Sequence, residues 1–484
     1  MIAKLHQNPR ASVSAGLALV LILVLNGALL VSAESVADQP ATQEQAVRPD
    51  PMSKQPATIS GLSKPVKTLA LRPSMTDPDT GYRQDAAGIT ANPGAVNVLM
   101  GTGRLGRLLG LKDDSGIRLG GLWIGNADLV MTGGAKPGTG TFNSLGIIDL
   151  QLDLTRLQGI PGASVGTSFL QFNGQDSNGQ AGVLTGYNGL TETPPLNRSE
   201  LYQLWWRQTL FDDTLVVRIG KSIATYDFNN VIRALPIAGE VPYIPAVSGL
   251  LYTPIFVNPS ILGVMPGYYN SAWGITTTIA PTPSVYASYG IYDGSLARGR
   301  QTGIAAWPTF SGYYFNIAEI GYSWTGTLPG KVAIGGWHQS GVLKQGNIQE
   351  NGAQGFYALG SNRLWTLNEH DGAGAIIGFL QYGINNSKTM LVNQFVGGGL
   401  TGFGLIPHRP KDSVGLGIAV SWLNNPPRSS NNEIIAQIYY QAHLIGDIFF
   451  QPTFTYVPHP GMITPENGSY SAATALVFQF ISLF

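Results

Sequence analysis

Residues 146–154 read G-I-I-D-L-Q-L-D-L, placing Asp149, Gln151 and Asp153 on one face of an extended chain and Ile148, Leu150, Leu152 and Leu154 on the other. Successive side chains of a strand point to opposite faces, so this stretch predicts a strand with one polar and one wholly apolar side. The same division recurs in both directions along the chain. In residues 117–129, Arg118, Asn126 and Asp128 oppose Leu119, Trp123 and Leu129. In residues 201–208, Gln203, Trp205 and Arg207 oppose Tyr202, Leu204 and Trp206. Glu433, Gln437 and Gln441 oppose Ile434, Ile438 and Tyr440, while Asp447, Gln451, Thr453 and Thr455 oppose Ile448, Phe450, Phe454 and Tyr456.

A β-sandwich also alternates. Three further features favour a transmembrane antiparallel β-barrel: segments of the roughly 9–11 residues a tilted spanning strand needs, alternately short and long connections, and aromatic residues near strand ends. Sixteen candidate strands start near residues 117, 143, 163, 200, 213, 271, 284, 312, 331, 354, 373, 391, 414, 432, 447 and 473. Turn chemistry at F-D-D-T, A-P-T-P-S, T-L-P-G-K and L-I-G-D marks short joins. The longest join, from about Ala224 to Tyr269, is apolar enough to be packed, so it covers the barrel mouth or folds into the lumen. L-M-G-T-G-R-L-G-R-L-L-G-L, starting at Leu99, is weakly amphipathic and predicts a short helix or plug before the first strand. Its G-x-G-x-x-G pattern lacks the strand and βαβ context of a dinucleotide site.

Composition agrees with a chain that faces lipid. Of 484 residues, 62 are Gly, 20 are Tyr and only 12% are charged, about half the usual share in soluble domains. Basic and acidic residues balance at 28 each, so overall charge suggests no nucleic-acid partner. There is no Cys, which excludes a disulfide framework, a thiolate metal site and a cysteine nucleophile. The six His residues show no metal-ligand spacing, and no cofactor is implied.

At the N-terminus, Lys4, His6 and Arg10 precede an apolar run and V-S-A at Val31–Ala33, the pattern of a cleaved export signal over residues 1–33. A retained membrane helix is the alternative reading. Residues 34–98, rich in Pro, Ala, Gln and Thr, predict a flexible lead, and residues 99–484 the barrel domain. The final stretch, A-T-A-L-V-F-Q-F-I-S-L-F, places Leu476, Phe478, Phe480 and Phe484 on one face and Val477, Gln479, Ile481 and Leu483 on the other. It predicts the strand that pairs with the first and closes the barrel.

Gln451–Gly461, Q-P-T-F-T-Y-V-P-H-P-G, resembles a segment of the carbohydrate-selective porin family of the OprB type, with Thr455 where that family usually has Gln. Further similarities, in the expected order, are L-I-P-H-R-P-K-D-S-V-G-L-G, E-L-Y-Q-L-W-W-R-Q, L-V-V-R-I-G-K, and Y-Y-F-N-I-A-E-I-G-Y-S-W followed by L-P-G-K. The resemblance covers about residues 100 to 484. It implies a sixteen-stranded barrel of the bacterial outer membrane that passes monosaccharides, glucose above all, down their gradient. It also implies lipid and lipopolysaccharide as surroundings, recognition of Phe484 by the barrel assembly machinery, and a monomer or homotrimer.

A pore that selects neutral sugars needs a constriction of pyranose width, polar groups for the hydroxyls and an aromatic face for the C–H groups, all binding weakly enough for release. On that basis Arg207 and Arg218 are expected to point inward, because an arginine on the lipid face costs about 2–4 kcal/mol at mid-bilayer. Arg118 is expected near them, with Asp227, Arg233 and Glu240 on the opposing side and Trp205 stacking on a sugar face. Trp123 and Trp206 are expected to face lipid. Alternatives are a general porin without sugar preference, a secreted carbohydrate-binding β-protein, and an exported glycoside hydrolase. No carboxylate pair with distinct acid and base roles supports the enzyme.

Overall fold

The computed structural model of the chain describes residues 103–112, 114–191, 197–211, 214–229, 258–267, 269–282, 284–294, 296–298, 307–324, 328, 330–367, 374–409, 412–424 and 430–484. The expected export signal and flexible lead lie outside the described residues.

A short helix, α1 (Arg104–Leu108), precedes sixteen strands. They are β1 (Ile117–Thr132), β2 (Gly140–Asp153), β3 (Ala163–Asn173), β4 (Arg198–Leu210), β5 (Leu215–Ser222), β6 (Ala272–Ile279), β7 (Val285–Asp293) and β8 (Tyr314–Trp324), then β9 (Gly330–Gln345), β10 (Ile348–Thr366), β11 (Ala375–Asn385), β12 (Val392–Phe403), β13 (Ser413–Leu423), β14 (Asn432–Ile445), β15 (Ile448–Val457) and β16 (Ala473–Leu483). Every strand pairs antiparallel with its neighbours in sequence, and β16 pairs back onto β1 to close the barrel. Closure leaves no edge, so strand N–H and C=O groups need no water. Sixteen expected strands correspond to sixteen observed ones; the widest mismatch is β10, expected near 354 and starting at Ile348.

The two faces sort as the alternation predicts. Phe356, Ile334, Leu380 and Ile320 point outward with 60% or more of their surface exposed, whereas inward Gln451, Thr453 and Gln441 are buried. Trp123 and Trp206 are outward and exposed, as expected.

Tyr202 departs from the expected pattern. The pairing passes from Ser168↔Gln203 to Phe169↔Leu201, so Tyr202 is an extra residue in a β-bulge. A bulge reverses the parity on one side of itself. Tyr202 therefore faces inward with Gln203 and packs fully buried with Leu145, Ile147, Leu170 and Phe172, not outward with Leu204 and Trp206.

One rim carries only short joins, while the other carries the four long ones, β3–β4, β5–β6, β7–β8 and β15–β16, together with shorter ones at β1–β2, β9–β10, β11–β12 and β13–β14. β9 and β10, 16 and 19 residues long, are joined only by the turn at Gly346 and Asn347. Both exceed a spanning length, so the long connection expected there is replaced by a ribbon that continues beyond the wall. At the short-turn rim, α2 (Leu154–Gln158) fills the β2–β3 join, its first turn capped by Asp153, which accepts from Thr155 N at 3.0 Å. α1 sits at the same rim: an added Cβ on Gly106 would lie 3.2 Å from the backbone O of Leu119, and Arg104 faces Asp447 at 3.9 Å.

Candidate functional site

The polar patch with the most charge lies on the inner face of β1 to β5. Arg118, Gln151, Gly166 and Trp205 are successive register partners across β1, β2, β3 and β4, forming one row around the wall. The next inward row holds Ser164, Arg207 and Arg218, again direct partners, and continues to Thr276 on β6. Two guanidinium groups thus stand side by side. Arg207 and Arg218 are buried while the intervening outward residues Trp206 and Ile219 are exposed, so both arginines face the lumen side.

Trp205 lies over its glycine neighbour. A Cβ on Gly166 would come within 2.2 Å of the Trp205 ring, so only glycine lets the indole lie flat against the wall. The Arg218 guanidinium carbon is 5.9 Å from the Trp205 ring centroid, within cation–π range.

Arg218 is also ion-paired with Asp227, and both side chains are buried. Asp227 comes from the turn that follows β5, at the start of the long join. It was expected on the side opposing Arg218; it stands beside it, because the turn folds back onto β5 as soon as the strand ends. Arg233 and Glu240 lie outside the described residues. Arg118 faces the same side as Arg207 and Arg218 but near the rim, where it packs against Gly103 before α1.

The described ends of the long join run inside the barrel. Glu319 on β8 accepts from Asn229 N at 2.7 Å, from the Tyr286 hydroxyl at 2.5 Å and from the Tyr357 hydroxyl at 2.9 Å. Farther on, the turn Pro259–Ile261 packs against β11 and β12, where Asn385 Nδ2 donates to Ser260 O at 2.7 Å. The join is thus inward-folded at both described ends, as its apolar composition predicts.

A second inward segment has no counterpart in the sequence reading. The β3–β4 join, residues 174–191 with α3 (Ser177–Gln180), is fastened to β14 and β1. Glu433 accepts from Leu184 N at 3.0 Å, Thr185 N at 2.7 Å and Gly461 N at 2.7 Å, besides the Thr185 hydroxyl. Gln437 Nε2 donates to Tyr187 O, and Asp128 accepts from the Tyr187 hydroxyl and from Asn188 Nδ2. Burial, followed by the charge of Asp128, raises the Tyr187 hydroxyl well above the ordinary tyrosine value, so it stays a donor. The signal available in sequence was a lone carboxylate on an otherwise uncharged inward face, at Glu319 and at Glu433. Such a group must find donors, and loop N–H groups are the nearest supply.

Within the patch, Asp149 Oδ1, Gln151 Oε1 and Ser164 Oγ are buried and have no hydrogen-bond partner among the described residues. Ser164 sits in G-A-S-V-G, residues 162–166, which matches the nucleophile pattern G-x-S-x-G. That pattern is catalytic on a strand-to-helix elbow beside a histidine. Here Ser164 is inside strand β3 opposite Arg207, so the match carries no hydrolase reading.

A closed sixteen-stranded barrel with an apolar exterior, a polar interior and inward-folded joins defines a porin. The description carbohydrate-selective porin, OprB family, matches residues 147–480, and the chain belongs to that family. Porin B of Pseudomonas aeruginosa is 21% identical over 322 residues, which cover 56% of this chain and 66% of that protein, just under two thirds of its length. The high-pH structure of Pseudomonas putida OprB shares the fold with a TM-score of 0.65 at 17% identity, covering 79% of this chain and 96% of that one. The chain is therefore a β-barrel of the bacterial outer membrane, with its short turns on the periplasmic side and its long joins outside.

Proposed function

We propose that the barrel lets carbohydrates diffuse passively across the outer membrane, with monosaccharides such as glucose as the preferred solutes, and that it acts as a channel without catalysis. The observation that carries this reading is the half-buried Trp205 ring laid flat over Gly166 on the inner wall, with Arg118 in its own row and Arg207 and Arg218 in the next. Sugar hydroxyls donate and accept, so they match a surface that offers both, and the indole matches the C–H face of a pyranose. Arg118, Arg207 and Arg218 supply charge-assisted donors, and Asp227 fixes Arg218. Arg233 and Glu240 complete the constriction in this reading. The domain division is residues 1–33 as export signal, 34–98 as flexible lead and 99–484 as barrel, assembled through Phe484 among lipid and lipopolysaccharide as a monomer or homotrimer.

Liposome swelling with purified protein tests it. Glucose is expected to enter faster than neutral amino acids of similar size. Rates that follow solute size alone would leave a general porin.

A further inference from the structure

The outer surface of β8, β9 and β10 changes character at one row. Asn316, His338 and Gln354 are successive register partners across these strands, and Asn386, whose Oδ1 accepts from Gln354 N at 2.9 Å, carries the row past the end of β11. All four share the side of the outward residues Ile320, Ile334, Phe356 and Ile384 on their own strands. The next outward row toward the periplasm, Ala318, Gly336, Phe356 and Ile384, holds no polar side chain. Tyr289 joins the polar row from β7, its hydroxyl donating to Asn316 Oδ1 at 2.9 Å.

His338 stands eight residues above Gly330 on β9, about 20 Å of height for a strand of ordinary rise and tilt. At the bottom of that span the stacked Tyr322 and Trp324 rings mark the periplasmic interface. An apolar band of about 25 Å then ends close to the polar row, so the row lies where hydrocarbon gives way to headgroups. The β9–β10 ribbon rises above it. Lys344, its partner Gln349 and Asn351 occupy the ribbon's exposed face, while Leu343 packs into the core and Glu350 is held on the other face by the Ser387 and Thr389 hydroxyls. From His338 to Lys344 is six residues, about 20 Å along the strand.

We propose that this face seats one molecule of lipopolysaccharide. Its acyl chains lie on Phe356, Ile334 and Ile320, its phosphates meet Lys344 and His338, and its sugars meet the amides above the row. Amides and sugar hydroxyls both donate and accept, and a lysine binds phosphate as a point charge. Glu350, the one carboxylate of β9 and β10, is turned to the opposite face and does not repel the phosphates. Height chooses between this glycolipid and a phospholipid. A phospholipid headgroup layer adds only about 5–8 Å to each side of the hydrocarbon core, too little to reach Lys344 from the row, whereas an oligosaccharide covers the whole strip. The proposal sharpens the lipopolysaccharide surroundings named above, and it needs the barrel's outer-membrane placement but not its sugar preference.

Native mass spectrometry of the purified barrel, stripped of lipid in detergent and then given lipopolysaccharide or phosphatidylglycerol, tests it, with glucose swelling as the control for the channel. The wild-type barrel is expected to carry a single lipopolysaccharide in preference to phosphatidylglycerol. Lys344→Gln should weaken that binding about fivefold. Lys344→Gln combined with His338→Ala and Gln354→Ala should weaken it further, with glucose swelling unchanged in both variants because none of these side chains faces the lumen. Equal binding by wild type and both variants, or a preference for phosphatidylglycerol, overturns the proposal. Glucose entry through a barrel that binds no lipopolysaccharide overturns it alone, and lipopolysaccharide binding by a barrel that passes no sugar overturns the channel reading alone.

Discussion

At the scale of single residues, the inner wall of β3 to β5 depends on one absent side chain. Gly166 leaves the space that the Trp205 ring fills, and an alanine there would push the indole into the lumen or out of contact with Arg218. Overpacking of this kind costs about 1–3 kcal/mol. Gly166→Ala is expected to lower the temperature at which the barrel loses its heat-modifiable gel mobility, and to change sugar swelling without moving the protein from the membrane; an unaltered swelling profile would mean that the ring takes no part in selection. The paired arginines make a second residue-scale test. Arg207→Ala is expected to weaken sugar block of the ion current severalfold. Arg218→Ala should do the same and also leave Asp227 buried without its cation, so the Arg218 variant should be the less stable of the two. Equal sugar block in wild type and both variants would remove these residues from the site. Alternation made the inward orientation of both arginines legible. The ion pair was not, because a contact between a strand and a turn nine residues later depends on how the chain folds back, and no periodicity records that.

At the scale of elements, the strand ladder was the readable part and the joins were not. A spanning strand repeats one constraint along its length, polar in and apolar out, and sixteen repetitions identify it even where single boundaries shift. The joins obey local needs. Glu319 and Glu433 each gather donors from separate segments, and in sequence each appears only as one acid on a polar face. Pro452 is a similar case inside a strand. It cannot donate to a ladder, and the β14–β15 register omits the pairs opposite Gln451 and Pro452, where Gln441 Nε2 bonds Gln451 Oε1 at 2.8 Å. The anchoring role of Glu319 is testable. In Glu319→Gln an amide NH₂ replaces one acceptor oxygen among three donors, and the loss of charge-assisted bonds should cost about 2 kcal/mol. The long join loses its hold on β8, and single-channel records are expected to show added current noise and a raised mean conductance. Glu433→Gln should produce the equivalent change for the β3–β4 join. Quiet records of wild-type amplitude in both variants would show that the joins are held without these carboxylates.

For the whole molecule, the decisive contact is the seam between first and last strands. Ten register pairs join β1 to β16, from Leu122↔Leu483 to Thr132↔Thr474. Beyond them, Phe484 and Gly121 exchange backbone bonds at 2.7 and 2.9 Å. A Cβ on Gly121 would lie 2.7 Å from the Phe484 ring, so the glycine forms the seat on which the terminal aromatic rests. On the inner face of the seam, Ile481 and Leu483 pack with Leu122 and Phe449. This explains why the inward side of the last strand is less polar than the rest of the lumen: it is sealed by its neighbours. The order of events matters here, since β16 is made last and β1 holds an open edge until it arrives. Deleting Phe484 removes the outermost bonds and the ring at the periplasmic end of this seam but touches neither the arginine rows nor the inward-folded joins. Closure is therefore expected to suffer far more than selection. Outer-membrane levels of the truncated protein should fall severalfold in cell fractionation, while the molecules that do assemble should keep the wild-type ratio of sugar to amino-acid swelling. Gly121→Val, whose Cβ would meet the backbone O of Ile147 on β2 as well as the Phe484 ring, should also reduce levels with the terminal residue intact. Normal membrane levels in both variants would show that the seam closes without its terminal contact, and an altered swelling ratio in the assembled fraction would tie the seam to the pore.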